Sequence, residues 1–313
     1  MEKINIKKTG IIIIYVLVIC FFGCSKGKEA PADEQQPQQP TPAPNYQIKT
    51  GTGNFVYQEY IPLLSKPVKV FYYNPGQNTA KVLILMHGNS RAAESYFNSM
   101  KKHAEQYKFL LVVPEFTEAL YSSRLYHRGG ILDAQGKIRN REDWTFSIIE
   151  PLFDYVKKNS GNTSNGYILY GFSAGAQFVH RFMTFVPDNR VTHLVSGSAG
   201  TYTMPDYSID YHFGLKNVAS IAPIANLIKF YAKNTTIVVG GADTDVNDPD
   251  LDTSAEGNAQ GKHRVERAEN YFNQSKAVAT QQKVPFNWKY QVVPGVGHSQ
   301  GSMAGPVAKL LFE

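Results

Sequence analysis

Cysteine is nearly absent from this chain: Cys20 and Cys24 are the only two in 313 residues. Both lie in the first 24 positions, so whatever folds after them has no internal disulfide, no thiolate metal site and no cysteine nucleophile. Its stability rests on an ordinary apolar core. Long apolar runs are scarce as well. The run from Ile11 to Phe22 is too short to span a bilayer comfortably. Nor is there a large excess of one charge. The formal net charge is +6, of which Lys3, Lys7 and Lys8 less Glu2 supply two units, leaving +4 for the rest. A surplus that small and dispersed argues against a nucleic-acid partner.

What is present begins with three lysines ahead of the apolar run, the layout of a secretory signal peptide. Phe21-Phe22-Gly23-Cys24 resembles a bacterial lipobox, which implies cleavage after Gly23 and acylation of Cys24 by a palmitate-type lipid. An uncleaved anchor or a plain signal peptide is the alternative. Residues 24–45 hold the cysteine and a stretch rich in Pro, Gln, Ala and Glu, with too little apolar mass to fold. They read as a tether from the membrane, which places the working domain at the bacterial envelope, most simply the outer membrane. Residues 46–313 then form one domain, with no repeat or second linker to divide it.

Phe55-Val56-Tyr57 and Val68 to Tyr72 read as a half-buried hairpin. Short continuous apolar runs follow at Val82 to Met86, Phe109 to Val113, Tyr167 to Tyr170, Leu194-Val195 and Ile237 to Val239, with a last strand over Trp288 to Val293. Strands buried on both faces look like this, and helical periodicity between several of them predicts an α/β fold with a mostly parallel central sheet and helices on both faces. Two longer connections, about Tyr121 to Asp143 and Thr201 to Leu227, carry many aromatics. Insertions that follow strands lie over the sheet's carboxyl edge, where ligands bind.

The chemistry centres on Gly171-Phe172-Ser173-Ala174-Gly175, which follows one of these strands and precedes a predicted helix from Ala174 to Phe185. A serine hydroxyl becomes a nucleophile when it is exposed on a strained turn and offered a base, and the flanking glycines permit such a turn. Later strands end in the partners required: Thr236 to Ala242 runs into Asp243, and Val292 to Gly297 into His298. His298 is the candidate base and Asp243 the residue that orients it, with Asp245 the competitor for that role. His103, His127, His193, His212 and His263 lack such a setting, and His180 falls inside the helix as a packing residue. His87-Gly88-Asn89-Ser90 closes an earlier strand; there the backbone N–H of Asn89, with that of Ala174, makes a candidate oxyanion hole, and His87 shapes the loop.

These elements, in this order, resemble the α/β-hydrolase superfamily over nearly the whole folded region. The glycine-flanked serine turn is also similar to that of secreted esterases of the polyhydroxybutyrate-depolymerase and feruloyl-esterase kind. That resemblance implies hydrolysis of a small-molecule or polymer carboxylic ester without a cofactor or metal; a peptidase or amidase on the same parts, or a binding lipoprotein that kept the scaffold, are the alternatives. Asp243, Asp245 and Asn247 share the spacing of a calcium loop, but Asp248 stands where its glycine belongs and Ser254 where its glutamate belongs, so the segment reads as a solvated turn. The basic stretch Arg124, His127, Arg128, Lys137, Arg139 and Arg141 likewise reads as a solvated loop, with steering of an anionic substrate the alternative. Tyr121, Tyr126, Tyr202, Tyr207, Tyr211 and Phe213 either line an acyl pocket or pack the insertions onto the sheet. Two segments, Ala199 to Pro205 and Gln260 to Arg264, also look family-like, with no activity attached to them.

Overall fold

In the computed structural model, residues 47–313 are described. The leader, Cys24 and the tether lie outside them. An eight-stranded sheet runs through the domain in the order β1-β2-β4-β3-β5-β6-β7-β8. The predicted hairpin is β1 (Gly51–Tyr57) and β2 (Val68–Asn74), paired antiparallel with Phe55 opposite Val70. β2 is also antiparallel to β4 (Leu110–Glu115). From there the pairing is parallel through β3 (Val82–Met86), β5 (Tyr167–Phe172), β6 (Val191–Gly197), β7 (Thr235–Gly240) and β8 (Trp288–Val293).

The continuous apolar runs are explained by where their alternate side chains go. Val82, Ile84 and Met86 of β3 enter one core with Leu110, Val112 and Leu169. Leu83 and Leu85 enter the other with Leu111, Val113, Ile168 and Tyr170. The inner strands β3, β4 and β5 therefore carry apolar residues at nearly every position, because a period of two sends neighbours to opposite faces and both faces are covered. On one face lie α1 (Ala93–Tyr107) and α7 (Gln300–Phe312), which pack against each other. The other carries α2 (Ile149–Ser160), α3 (Ala174–Phe185), α4 (Ile224–Tyr231) and α6 (Arg264–Gln281), with the short α5 (Ala255–Ala259) before α6.

Both insertions are largely irregular, apart from short 3-10 turns. The second is shorter than its sequence suggested, since Ile224 to Leu227 already belong to α4. No helix among the described residues is long and apolar enough to cross a membrane.

Candidate active site

The strand β5 ends at Phe172, and the chain turns at Ser173 into α3, whose predicted span is the one observed. Ser173 sits at φ 57°, ψ −118°, a left-handed backbone value that an L-residue adopts only under strain. The glycines around it have separate tasks. A Cβ on Gly171 would run into the Gly175 carbonyl, and one on Gly175 into the Met86 carbonyl at the end of β3. Their absence lets α3 start hard against the sheet. Ser173 N–H donates to Gly197 O at 2.8 Å, which pins the turn to β6.

His298 and Asp243 arrive on loops that the backbone zips together. Gly241 N–H donates to Val293 O at 2.8 Å and Ala242 N–H to Val296 O at 2.9 Å, with Gly295 at φ 72° making the turn. His298 Nε2 lies 3.0 Å from Ser173 Oγ, and its Nδ1 lies 2.7 Å from Asp243 Oδ2. Phe172 packs against the imidazole with ring centroids 4.9 Å apart. Asp243 is buried at 2% exposure, whereas Asp245 is exposed and spends its Oδ1 on the Asn247 N–H. Of the two carboxylates, Asp243 is the one that faces His298.

The 243–252 segment contains charge pairing that spacing alone did not show. Arg264, 1% exposed, places its Nη1 at 2.8 Å from Asp248 Oδ2 and 3.5 Å from Asp243 Oδ1. Asp243, the first member of the calcium-like spacing, is thus turned towards the histidine and shares a guanidinium with Asp248, the residue that breaks that spacing. No group of three or more His, Cys, Asp or Glu among the described residues is placed to hold a metal ion. The two family-like segments prove to be one structure. Gln260 accepts from Tyr202 N–H at 2.8 Å and donates to Tyr202 O at 2.7 Å, while Arg267 Nη1 donates to Gly200 O at 2.5 Å.

At the end of β3, His87 shapes the loop as expected. Its Nε2 accepts from Phe116 N–H at 3.0 Å, so its Nδ1 carries the proton and donates to Gly88 O at 3.0 Å. Burial pulls this imidazole down to about 4, which keeps it neutral. Asn89 and Ala174 both line the space above Ser173, and Asn89 Nδ2 donates to Asp250 Oδ1 at 2.9 Å.

Two cavities open on Ser173, and Ser173, Asn89 and Asp250 line both. One, of about 260 Å³, is walled by His127, Arg128, Gln177, Thr201 and His212. The other, of about 280 Å³, is walled by Ser95, Tyr96, Ser99, Phe172, His298 and Gln300. One sequence expectation changes here, and one left open is decided. The basic stretch is more than a solvated loop: Arg128 and His127 face the first cavity, while Arg124 and Arg139 tie the loop to its own carbonyls at Leu132 and Gly130. The insertion aromatics pack rather than line. Tyr121, Tyr126 and Tyr202 are fully buried, and Tyr207, Tyr211 and Phe213 lie outside both walls.

Sequence reasoning passed over His212 and Gln177 as site residues and gave His127 only the alternative reading of anionic-substrate steering, because their proximity to each other is created by the folding of separate segments. Burial, with Arg181 and Arg128 nearby, pulls His212 down to about 2 and His127 to about 3. Behind this wall the Arg181 guanidinium, fully buried, donates only to neutral oxygens: Thr203 Oγ1, His127 O, Gln177 Oε1 and Thr201 Oγ1. His180 is a packing residue, its Nδ1 2.8 Å from Ala176 O and its Nε2 accepting from Thr203 N–H at 3.0 Å.

A serine on a strained strand-to-helix turn at the carboxyl edge of such a sheet defines the class, and the chain belongs to the α/β-hydrolase superfamily of serine hydrolases. It is similar to the poly(aspartic acid) hydrolase-1 of Sphingomonas sp. KT-1, with 38% identity over 85% of this chain and 100% of that one, at a TM-score of 0.80. A poly(3-hydroxybutyrate) depolymerase from Bordetella parapertussis shares 27% identity over 84% of this chain and 91% of its own, with a TM-score of 0.79. An S-formylglutathione hydrolase from Agrobacterium tumefaciens, 14% identical over 85% of this chain and 95% of that one, shares the fold at a TM-score of 0.52. No protein-family model and no curated protein matches the chain. The chain is a hydrolase of the esterase and depolymerase kind.

Proposed function

We propose that the protein cleaves carboxylic esters through a Ser173-His298-Asp243 triad and an acyl-enzyme intermediate. The observation that carries this is the continuous chain from Ser173 Oγ through His298 to Asp243, with separations of 3.0 and 2.7 Å. Ser173 Oγ attacks the ester carbonyl as its proton passes to His298 Nε2, and Asp243 holds the imidazole in the required orientation and stabilises the imidazolium. The backbone N–H groups of Asn89 and Ala174 receive the oxyanion. Water, deprotonated by the same imidazole, then releases the acid.

Fluorophosphonate labelling of the folded protein tests the nucleophile. Wild type is expected to take one adduct on Ser173 and the S173A variant none; an unlabelled wild type sinks the proposal. Asp243→Asn is expected to lower kcat on nitrophenyl esters by about three to four orders of magnitude, because the imidazole loses its orienting acceptor. Asp245→Asn should leave kcat within about twofold, since its side chain serves only the neighbouring turn.

Amide hydrolysis is the second reading, favoured by the relative named for poly(aspartic acid), a polyamide. Parallel assays on nitrophenyl esters and on aminoacyl amides separate the two, and amide turnover without ester turnover replaces the first by the second.

The leader supports a cellular setting. We propose that the chain is a lipoprotein, residues 1–23 removed, Cys24 acylated and residues 24–45 tethering the hydrolase domain to the outer membrane. Metabolic labelling with an alkyne palmitate is expected to tag the wild-type chain and to miss Cys24→Ala; equal label on both refutes the anchor.

A further inference from the structure

Asp243 is 2% exposed, and a carboxylate that far from water is stable only where its charge is met. Its Oδ2 has His298 Nδ1 at 2.7 Å, but an imidazole that is to act as a base starts neutral and brings no charge. The charge is met on the other oxygen. Arg264 Nη1 stands 3.5 Å from Asp243 Oδ1 and 2.8 Å from Asp248 Oδ2, and Arg264 is itself 1% exposed. Its Nε and Nη2 meet no acceptor among the described residues, so balancing the guanidinium falls to these two carboxylates.

The start of α6 holds Arg264 in place. His263 caps the helix by accepting from Glu266 N–H, and Glu266 Oε2 accepts from Lys262 N–H at 2.7 Å. Three residues after Arg264, Arg267 donates to Gly261 O, Gly200 O and Asp252 O, which ties the helix start to the segment after β6 and to the far end of the acid loop. Asp248 is fixed as well, its Oδ1 accepting from Asp250 N–H at 2.8 Å. Burial pushes the Asp248 carboxyl up, but the bonds from Arg264 and from Asp250 N–H outweigh it, so Asp248 is ionised at neutral pH.

Given the triad reading above, we propose that Arg264 is a positioning residue: it holds Asp243 Oδ1 so that Oδ2 stays on His298 Nδ1, and with Asp248 it sets the pH above which His298 works as the base. Two carboxylates and one guanidinium leave a single negative charge beside the neutral imidazole. The proton that His298 takes from Ser173 cancels it. Two carboxylates without the guanidinium would hold a proton on the resting ring, and a guanidinium facing Asp243 alone would discourage the imidazolium that the reaction needs. The other titratable groups in the imidazole's cavity are Asp250 and Tyr96. Burial pushes the Tyr96 hydroxyl up, which keeps it neutral, and Asp250 Oδ1 accepts from Asn89. Phe172 of β5 packs on the ring, and Asp245 is exposed on its own turn.

Fluorophosphonate labelling supplies the test, because it reads the nucleophile and its base whatever the natural substrate: Ser173 Oγ bonds to phosphorus, fluoride leaves and the serine proton passes to His298. Its second-order rate is followed on the full-length protein from about pH 5 to about pH 9, at a temperature where each variant stays folded. The wild-type rate is expected to rise with pH to a plateau. Arg264→Gln leaves two carboxylates without their cation; the rising limb is expected to move to higher pH by roughly one pH unit and the plateau to fall about tenfold. Asp248→Asn is expected to move the limb the opposite way, by roughly half a pH unit. Arg264→Lys, which keeps the charge on a shorter side chain, is expected to bring the limb back to within about 0.3 pH unit of wild type and to restore the plateau in part. A purely structural tie between the acid loop and α6 would leave the limb in place or move it the same way in both charge variants, and either result overturns the proposal. Should Arg264→Gln fail to fold, Asp248→Asn decides alone, since the Asp248 side chain is 18% exposed and Arg264 keeps Asp243 as a partner: a limb at lower pH supports the proposal, and an unmoved or raised one overturns it. Label on wild-type Ser173 with an unmoved limb in the variants overturns the role of Arg264 alone. No label on wild type at any pH overturns the triad and this role together.

Discussion

Ser173 holds a backbone angle that glycine adopts freely and serine does not, with φ at 57° and ψ at −118°. Strain of this kind is typically of order 1–3 kcal/mol, and it persists where surrounding structure enforces it. The enforcing contacts are the Ser173 N–H bond to Gly197 and the tight seat of α3 on the end of β3. Ser173→Ala keeps the strain and Ser173→Gly releases it. The glycine variant is therefore expected to be more stable than the alanine variant by about 1 kcal/mol, after the extra chain entropy of glycine is set against the strain. Thermal or urea unfolding of the two variants checks this, and equal midpoints would show the turn to be relaxed. At this scale the serine was legible because a strained turn demands small neighbours, a demand visible as Gly171 and Gly175. Arg264 was not. A buried arginine becomes meaningful only when its carboxylate partners, Asp243 and Asp248, are known to face it.

Among the elements, the strands were readable because burial on both faces leaves a continuous apolar run, and the helix from Ala174 to Phe185 because its apolar residues recur at helical spacing. The boundary followed closely where a strand ends in a glycine, as at Gly240, with Asp243 three residues further on in the turn rather than at the strand end itself. Gly240 itself is required by close approach, since a Cβ there would strike the Val296 carbonyl of the loop that carries His298. Gly175 is under the same constraint on the other side. Gly175→Ala is expected to push α3 away from β3, lowering both stability and kcat: several kcal/mol of destabilisation, or a shift of Ser173 away from His298 that costs roughly a hundredfold in rate. Melting temperature and kcat measured together test this, and a variant unchanged in both would mean that the helix end yields without consequence. The insertions gave no such signal. Their aromatics are compatible with a pocket wall and with a core, and packing against α3, as with Tyr126 on Phe178, decided for the core.

For the molecule as a whole, four imidazoles are folded in neutral form. Burial holds His87 at about 4, His127 at about 3 and His212 at about 2, and pushes His180 well down. Above pH 6.5 folded and unfolded chains are alike at these sites. Below it the unfolded chain takes up protons that the folded chain refuses, so stability falls as the pH drops from 6.5 towards 4, by up to about 1.4 kcal/mol per pH unit for each group. The melting temperature is expected to be level from pH 8 to 7 and to drop steeply between pH 6.5 and 5. A level profile down to pH 5 would contradict the neutral burial of these rings.

The sequence by itself determined the sheet, the order of the loops at its carboxyl edge and the strained serine turn, because each depends on local rules: period-two burial, glycine at a strained turn, a polar residue shortly after a strand end. Tertiary structure alone decided which acid faces His298, that Arg264 and Arg181 are buried, and that Ser173 opens on two cavities walled by residues from separate insertions. Those facts depend on distances between segments far apart in the chain, and no local pattern records a distance of that kind.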